Sequence, residues 1–158
     1  MDGAFQAAGE RMRQVQYVLV FKGSAAPKPG ADGFMVASSA ATAGSITTTI
    51  GDSGVDAEIK TSGGQATFAS EVRLNQDGTF VEDGTITFGK AGTISFSTRE
   101  LGFMAPSADP NLTHGAIMWQ INKGTGVFEG ASGIITSNFR VAKSGDVVDS
   151  QWGVIFLK

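Results

Sequence analysis

The sequence predicts an all-β fold, specifically an antiparallel up-and-down barrel of about eight strands. Three observations carry that expectation. Apolar residues alternate with a period of two over most of the chain after Gln14, as half-buried strands require. Glycine-containing turn sequences recur about every ten residues, the spacing of a meander. The 158 residues include 22 glycines and 11 phenylalanines, a composition that favours short strands and tight turns over helices.

At the N-terminus Asp2 is placed to cap a helical turn or two through Ala4, Phe5, Ala7, Ala8 and Met12, weakened by Gly9, within an extension over residues 1–13. The period then changes to two. Val15, Tyr17, Leu19 and Phe21 mark one face of a first strand, with Val18 and Val20 on the other. Gly23 to Gly33 reads as a loop from its proline and glycine content. Strands are expected near Phe34 to Ala41, Ser45 to Ile50, Val55 to Thr61, Gln65 to Leu74, Thr79 to Phe88 and Thr93 to Arg99. Between them GDSG, SGG, NQDG and GKAG supply the positive φ that hairpin turns demand. Gly102 to Thr113, with two prolines, is expected to be an irregular loop and a candidate lid. Strands at His114 to Asn122, Ser132 to Ala142 and Val147 to Leu157 complete the chain, the last two joined at KSGD.

So many strands lacking a fully polar face point to closure, because closure removes exposed edges and creates an interior. A β-sandwich is the alternative that periodicity leaves open. A chain of this length forms one domain, residues 1–158, large enough to bury roughly 70% of its unfolded surface. No repeat or linker divides it.

Composition also excludes function classes. Without cysteine there is no disulfide, thiolate metal site or cysteine nucleophile. One histidine and no tight carboxylate cluster argue against a metal site, and no cofactor is expected. A net charge of −3 with scattered lysines and arginines offers no basic stripe for nucleic acid. The N-terminus lacks the charged and apolar regions of a secretory signal, and no apolar run reaches the roughly 18 residues of a membrane helix. A cytoplasmic protein is expected unless an export signal has been trimmed.

The stretch from Ile121 to Phe139 poses the sharpest question, because its glycines could cradle a phosphate. They stand at 124, 126, 130 and 133, which misses G-x-G-x-x-G by one residue, and strand chemistry rather than a helix follows. The stretch instead resembles the glycine-rich motif of the allene oxide cyclase and dirigent-like barrels. There a strand ending I-x-G-G-T/S-G-x-F leads through E-G-x-x-G into the next. The matching positions are Ile121, Gly124, Gly126, Phe128, Glu129, Gly130 and Gly133, with Lys123 in place of the first glycine. The resemblance runs from His114 to the C-terminus. It implies an eight-stranded, calycin-like barrel with an apolar cavity that steers a reactive small molecule by shape, often in a dimer or trimer. No catalytic residue carries over. The motif itself reads as architecture, its glycines forming a bend or bulge and Phe128 plugging the barrel end.

Candidate catalytic residues are Glu82 and His114. Glu82 shares parity with Phe80, Ile86 and Phe88, so it either lies in the cavity with a raised pKa or is turned outward by a bulge at Asp83-Gly84. His114, at the entry of a strand, could serve as a general acid or base, or be a strand-end residue with no such role. Asn138, Arg140, Asp149 and Gln151 are candidate ligand-binding residues. A hairpin at Ser144-Gly145 whose paired numbers sum to about 289 would oppose Arg140 to Asp149 and Asn138 to Gln151, as a structural ladder or as a polar patch inside the barrel. Trp119, Trp152, Phe139 and Phe156 are expected in the core or at a subunit contact.

The functional expectation is a barrel that binds an apolar, lipid- or polyketide-like molecule and guides a cyclisation or isomerisation without a cofactor. The alternative is a packed, non-catalytic structural or oligomerisation barrel. Apolar residues on both faces of the Val15 and Val154 strands further predict a homo-oligomer.

Overall fold

The computed structural model describes residues 12–158, so the helix expected from Asp2 lies outside the described residues. Nine strands run β1 (Arg13–Pro27), β2 (Phe34–Gly51), β3 (Gly54–Leu74), β4 (Thr79–Phe88), β5 (Gly92–Thr98), β6 (Gly102–Pro106), β7 (Leu112–Gly124), β8 (Ser132–Ala142) and β9 (Asp146–Leu157). Every pairing is antiparallel, and β9 returns to β1 with Arg13 opposite Leu157 and Ser24 opposite Asp146. The ring has eight staves, because β5 and β6 run in the same direction between β4 and β7 and together make one. The interruption at Arg99 to Leu101 lets that stave change register midway. Among the described residues the helical content is a single 3-10 turn, Gly126–Phe128, between β7 and β8.

Three expected boundaries are corrected. Gly23 to Pro27 is strand, because β2 supplies ladder partners from Ser39 to Met35; the loop proper is shorter. Ser45 to Ile50 and Val55 to Thr61 are not separate barrel strands but the outer halves of β2 and β3. The pairing jumps there from Thr42 opposite Gln65 to Gly44 opposite Thr61, so Ser62-Gly63-Gly64 is a bulge rather than a hairpin turn. Beyond this bulge the two strands leave the barrel as a ribbon whose residues are almost all exposed. Of the expected lid, Gly102 to Pro106 is strand β6, clamped between Phe80 of β4 and Ala116 of β7, and β7 begins at Leu112.

The core fills one half of the barrel with rings. Phe68 lies 5.9 Å from Phe21, 5.4 Å from Phe96 and 5.6 Å from Trp119, and Phe96 is 4.5 Å from Trp119. Below them the glycine motif folds over the barrel end. Phe128 is buried and packs 5.0 Å from Phe88. Gly126 and Gly130 take φ of 60° and 71°, a left-handed conformation that favours glycine. A Cβ on Gly124 would collide with the Phe128 carbonyl. The motif is therefore a folded cap, consistent with the architectural reading of its sequence.

Candidate functional site

The other half of the barrel is hollow. A cavity of ≈ 440 Å³ is lined almost entirely by apolar side chains, among them Ala37, Val72, Leu74, Phe80, Met104 and Phe139. Pro110 and Asn111, from the short loop between β6 and β7, reach its wall. The polar lining one would want for orienting a ligand is scarce at this level and lies one layer deeper. Val72, Phe80, Phe139 and Val147 line the cavity, and two residues along the same strand faces stand Ser70, Glu82, Ser137 and Asp149. The rings of Phe80 and Phe139 meet edge to face at 5.8 Å and separate the cavity from this polar belt. Gly102 and Gly115 leave room for them, since a Cβ on either would come within 2.6 Å of the Phe80 or the Phe139 Cζ.

Glu82 and Asp149 are the two buried carboxyls among the described residues. Glu82 is fixed through its backbone, its N–H donating to the Thr98 hydroxyl at 2.6 Å while that hydroxyl donates to the Glu82 carbonyl at 2.8 Å. Thr98 thus continues the ladder where β5 ends. The Ser70 hydroxyl donates to the Glu82 carboxyl at 2.5 Å. Asp149 accepts from Ser137 at 2.6 Å and from the Gln151 amide at 2.8 Å. Gln151 in turn accepts from the Tyr17 hydroxyl at 2.9 Å. Among the described residues the indole N–H of Trp119 has no hydrogen-bond partner within ordinary geometry, yet it lies close enough to Glu82 to favour its ionised form slightly.

The electrostatics follow from burial. Desolvation pushes the Glu82 pKa up to about 8, opposed by the Ser70 hydrogen bond and reinforced by the charge of Asp149. Asp149 is also raised by burial, with the Ser137 and Gln151 donors opposing. Tyr17 is pushed up by burial and then by Asp149, so its phenol stays neutral. With two donors, Asp149 has the better support for a negative charge. Glu82, with one donor in an apolar surround, is a carboxylic acid at neutral pH. Two titratable groups whose surroundings separate their roles are the usual arrangement of an acid and a base.

Comparison with solved structures decides what kind of barrel this is. The chain superposes on the pterocarpan synthase dirigent protein with a TM-score of 0.58 over 93% of this chain and 86% of that one, at 13% identity. The fold is dirigent-like. No family model and no curated protein matches the sequence. The dirigent-like fold thus emerges from the order and closure of the strands, and the only sequence trace of it identified is the cap motif over β7 and β8.

Within this dirigent-like barrel the six candidate residues separate by face. Glu82, Asp149 and Gln151 point inward, so no bulge at Asp83-Gly84 turns Glu82 out. His114, Asn138 and Arg140 lie on the outer wall, where His114 pairs with Arg140 and both border a shallow polar groove with Ser107 and Ser150. The expected opposition of Arg140 to Asp149 and Asn138 to Gln151 is corrected. The observed pairs, Arg140 with Val148 and Asn138 with Ser150, sum to 288. A slip of one residue transfers a side chain to the other face of a sheet. The residues that do stand opposite Asp149 and Gln151 are Phe139 and Ser137, respectively. Tyr17, Ser70, Ser137 and Trp119 were not among the candidates. Tyr17 shares parity with Val15 and Leu19, and that was a usable signal; the two serines become visible only once the register is known.

Proposed function

We propose that this barrel binds an apolar small molecule in its cavity and that the Glu82 and Asp149 pair beneath the floor guides its cyclisation or isomerisation by proton transfer. The observation that carries this reading is an apolar cavity of ≈ 440 Å³ standing one side-chain layer above a carboxyl whose pKa is about 8. A volume of this size suits a ligand of roughly drug-like dimensions. Its walls would select one conformer, which converts a floppy intramolecular reaction into an oriented one. Glu82 would donate its proton to a carbonyl or enol-forming oxygen while a hydroxyl of the same molecule attacks. The proton released by that hydroxyl would return to the carboxyl pair, so atoms balance and nothing is oxidised. The floor formed by Phe80 and Phe139 would have to part for the oxygen to reach the acid. One solved protein that shares the fold is a pterocarpan synthase dirigent protein, and a phenolic or lipid-like substrate class is consistent with that neighbour and with the apolar wall.

Titration with the neutral dye N-phenyl-1-naphthylamine tests the cavity. Saturable binding near one per chain is expected, and Ala37→Trp, which fills the cavity, is expected to weaken it by about tenfold or more, a loss of about 1.4 kcal/mol. Unsaturable binding, or equal affinity in the variant, would leave the packed-barrel alternative. The acid is tested separately: dye affinity should change between pH 6 and pH 9 in the native protein, and Glu82→Gln should flatten that dependence. An unchanged profile would remove Glu82 from the site.

A further inference from the structure

We propose that the ribbon formed by the outer halves of β2 and β3 is a docking arm for a second copy of this chain, and that its seat is the unpaired edge of β1. This inference is independent of the cavity and its chemistry.

β1 pairs with β2 only from Lys22 to Pro27. From Arg13 to Phe21 it is bonded to β9 on one side and, among the described residues, to no strand on the other. The ribbon peels away at the Ser62-Gly63-Gly64 bulge, and from Gly44 to Gly51 the β2 strand is bonded to β3 alone. Each copy therefore presents open strand edges of similar length on β1, nine residues, and on β2, eight, besides the outer half of β3, which pairs with β4 only from Ala66 onward; their unpaired N–H and C=O groups template further pairing. An isolated two-stranded ribbon is marginal in water without a partner for its apolar side.

This ribbon is strongly two-faced. Ile46 pairs with Ile59 and Ile50 with Val55, while Thr47 pairs with Glu58 and Thr49 with Asp56. Ile50 is 81% exposed, Val55 71% and Ile59 51%. The apolar side continues onto the barrel, since Ile46 and Ile59 share a groove with Val18 and Val20 of β1, and exposed Trp152 stands opposite Val18 on β9. So wide an exposed apolar band marks an interaction surface.

Charge decides between a second copy meeting arm to arm and one meeting arm to barrel. The ribbon carries Asp52, Asp56 and Glu58 against Lys60, whereas β1 carries Arg13 and Lys22 and no acid. Two arms repel each other; an arm and the β1 of another copy attract. The arrangement is reciprocal, each arm lying along the other copy's β1, which is the self-complementary contact that closes a twofold dimer.

Analytical ultracentrifugation at tens of micromolar tests the exchange. The native chain should associate. Ile46→Lys/Ile59→Lys, altered only in the arm, and Val18→Glu, altered only in the seat, should each sediment as monomers with affinity reduced about a hundredfold. All three positions are exposed, and Ile50→Lys at the arm tip provides a second arm variant should the double substitution unfold. Mixing the arm and seat variants should restore association, because one contact becomes Lys against Glu and the other is native. A monomeric native chain, variants that associate like the native chain, or a mixture that stays monomeric would each overturn the proposal.

Discussion

Between pH 5 and pH 8 the stability of the native protein is expected to fall, and Glu82→Gln is expected to remove a large part of that fall. The folded pKa of Glu82 is about 8 against an ordinary value of 4.5. In that interval the folded state holds a proton that the unfolded chain has already released, so unfolding is favoured by each increment of pH. The stabilisation from the protonated carboxyl is complete below the unfolded pKa and is lost as pH rises through the folded one. At about 1.4 kcal/mol per unit of displacement, the interval corresponds to a few kcal/mol. Asp149 is displaced in the same direction, so a residual slope of the same sign should persist in the single variant and shrink further in Glu82→Gln/Asp149→Asn. Glutamine keeps the shape and carries no charge, so the variant should match the native protein near pH 5 and exceed it at pH 8. Chemical denaturation at both pH values checks this; parallel pH profiles for the native and variant proteins would mean that Glu82 is not held protonated.

Phe128→Ala is expected to destabilise the barrel by about 3 to 5 kcal/mol, the usual cost of emptying a buried aromatic site. Phe128 is 7% exposed, packs on Phe88 and closes the end of the barrel opposite the cavity. Its backbone carbonyl also lies where a Cβ on Gly124 would go, so the cap around it is close-packed and cannot readily collapse into the void. For a chain of this size the melting temperature should drop by on the order of 10 °C. Dye binding in the cavity should persist below the new melting temperature, because the ring and the cavity occupy opposite halves of the barrel. A drop of only a degree or two would show that the cap motif is a loose connection rather than a plug.

The buried polar belt of Glu82, Asp149 and Gln151 was partly readable in the sequence. Glu82 was found because its parity with Phe80, Ile86 and Phe88 placed a carboxylate on an apolar face. Asp149 and Gln151 were candidates as members of a cross-strand ladder or polar patch, without a face assigned to the interior, and their partners were misassigned because the β8 to β9 register turned on one residue of the turn at Ser144-Gly145. His114 was a catalytic candidate and Arg140 a ligand-binding one, and the topology puts both on the outer wall. Sequence parity gives the face of a residue relative to its own strand; it does not say which face is inside.

The sequence by itself determined the all-β meander, the last three strands and the cap motif, because period-two alternation and obligatory glycines are local properties written residue by residue. Only the tertiary structure decided the rest. Strand β6 exists because β4 and β7 offer it ladder partners, despite a composition that reads as loop. Gly63 bends a strand where its sequence suggests a turn, because β2 and β3 pair on both sides of it. The cavity and the buried acids depend on closure of β1 onto β9, a contact between the two ends of the chain. Desolvation of Glu82 is a property of everything that surrounds it, and no short stretch of sequence contains those surroundings.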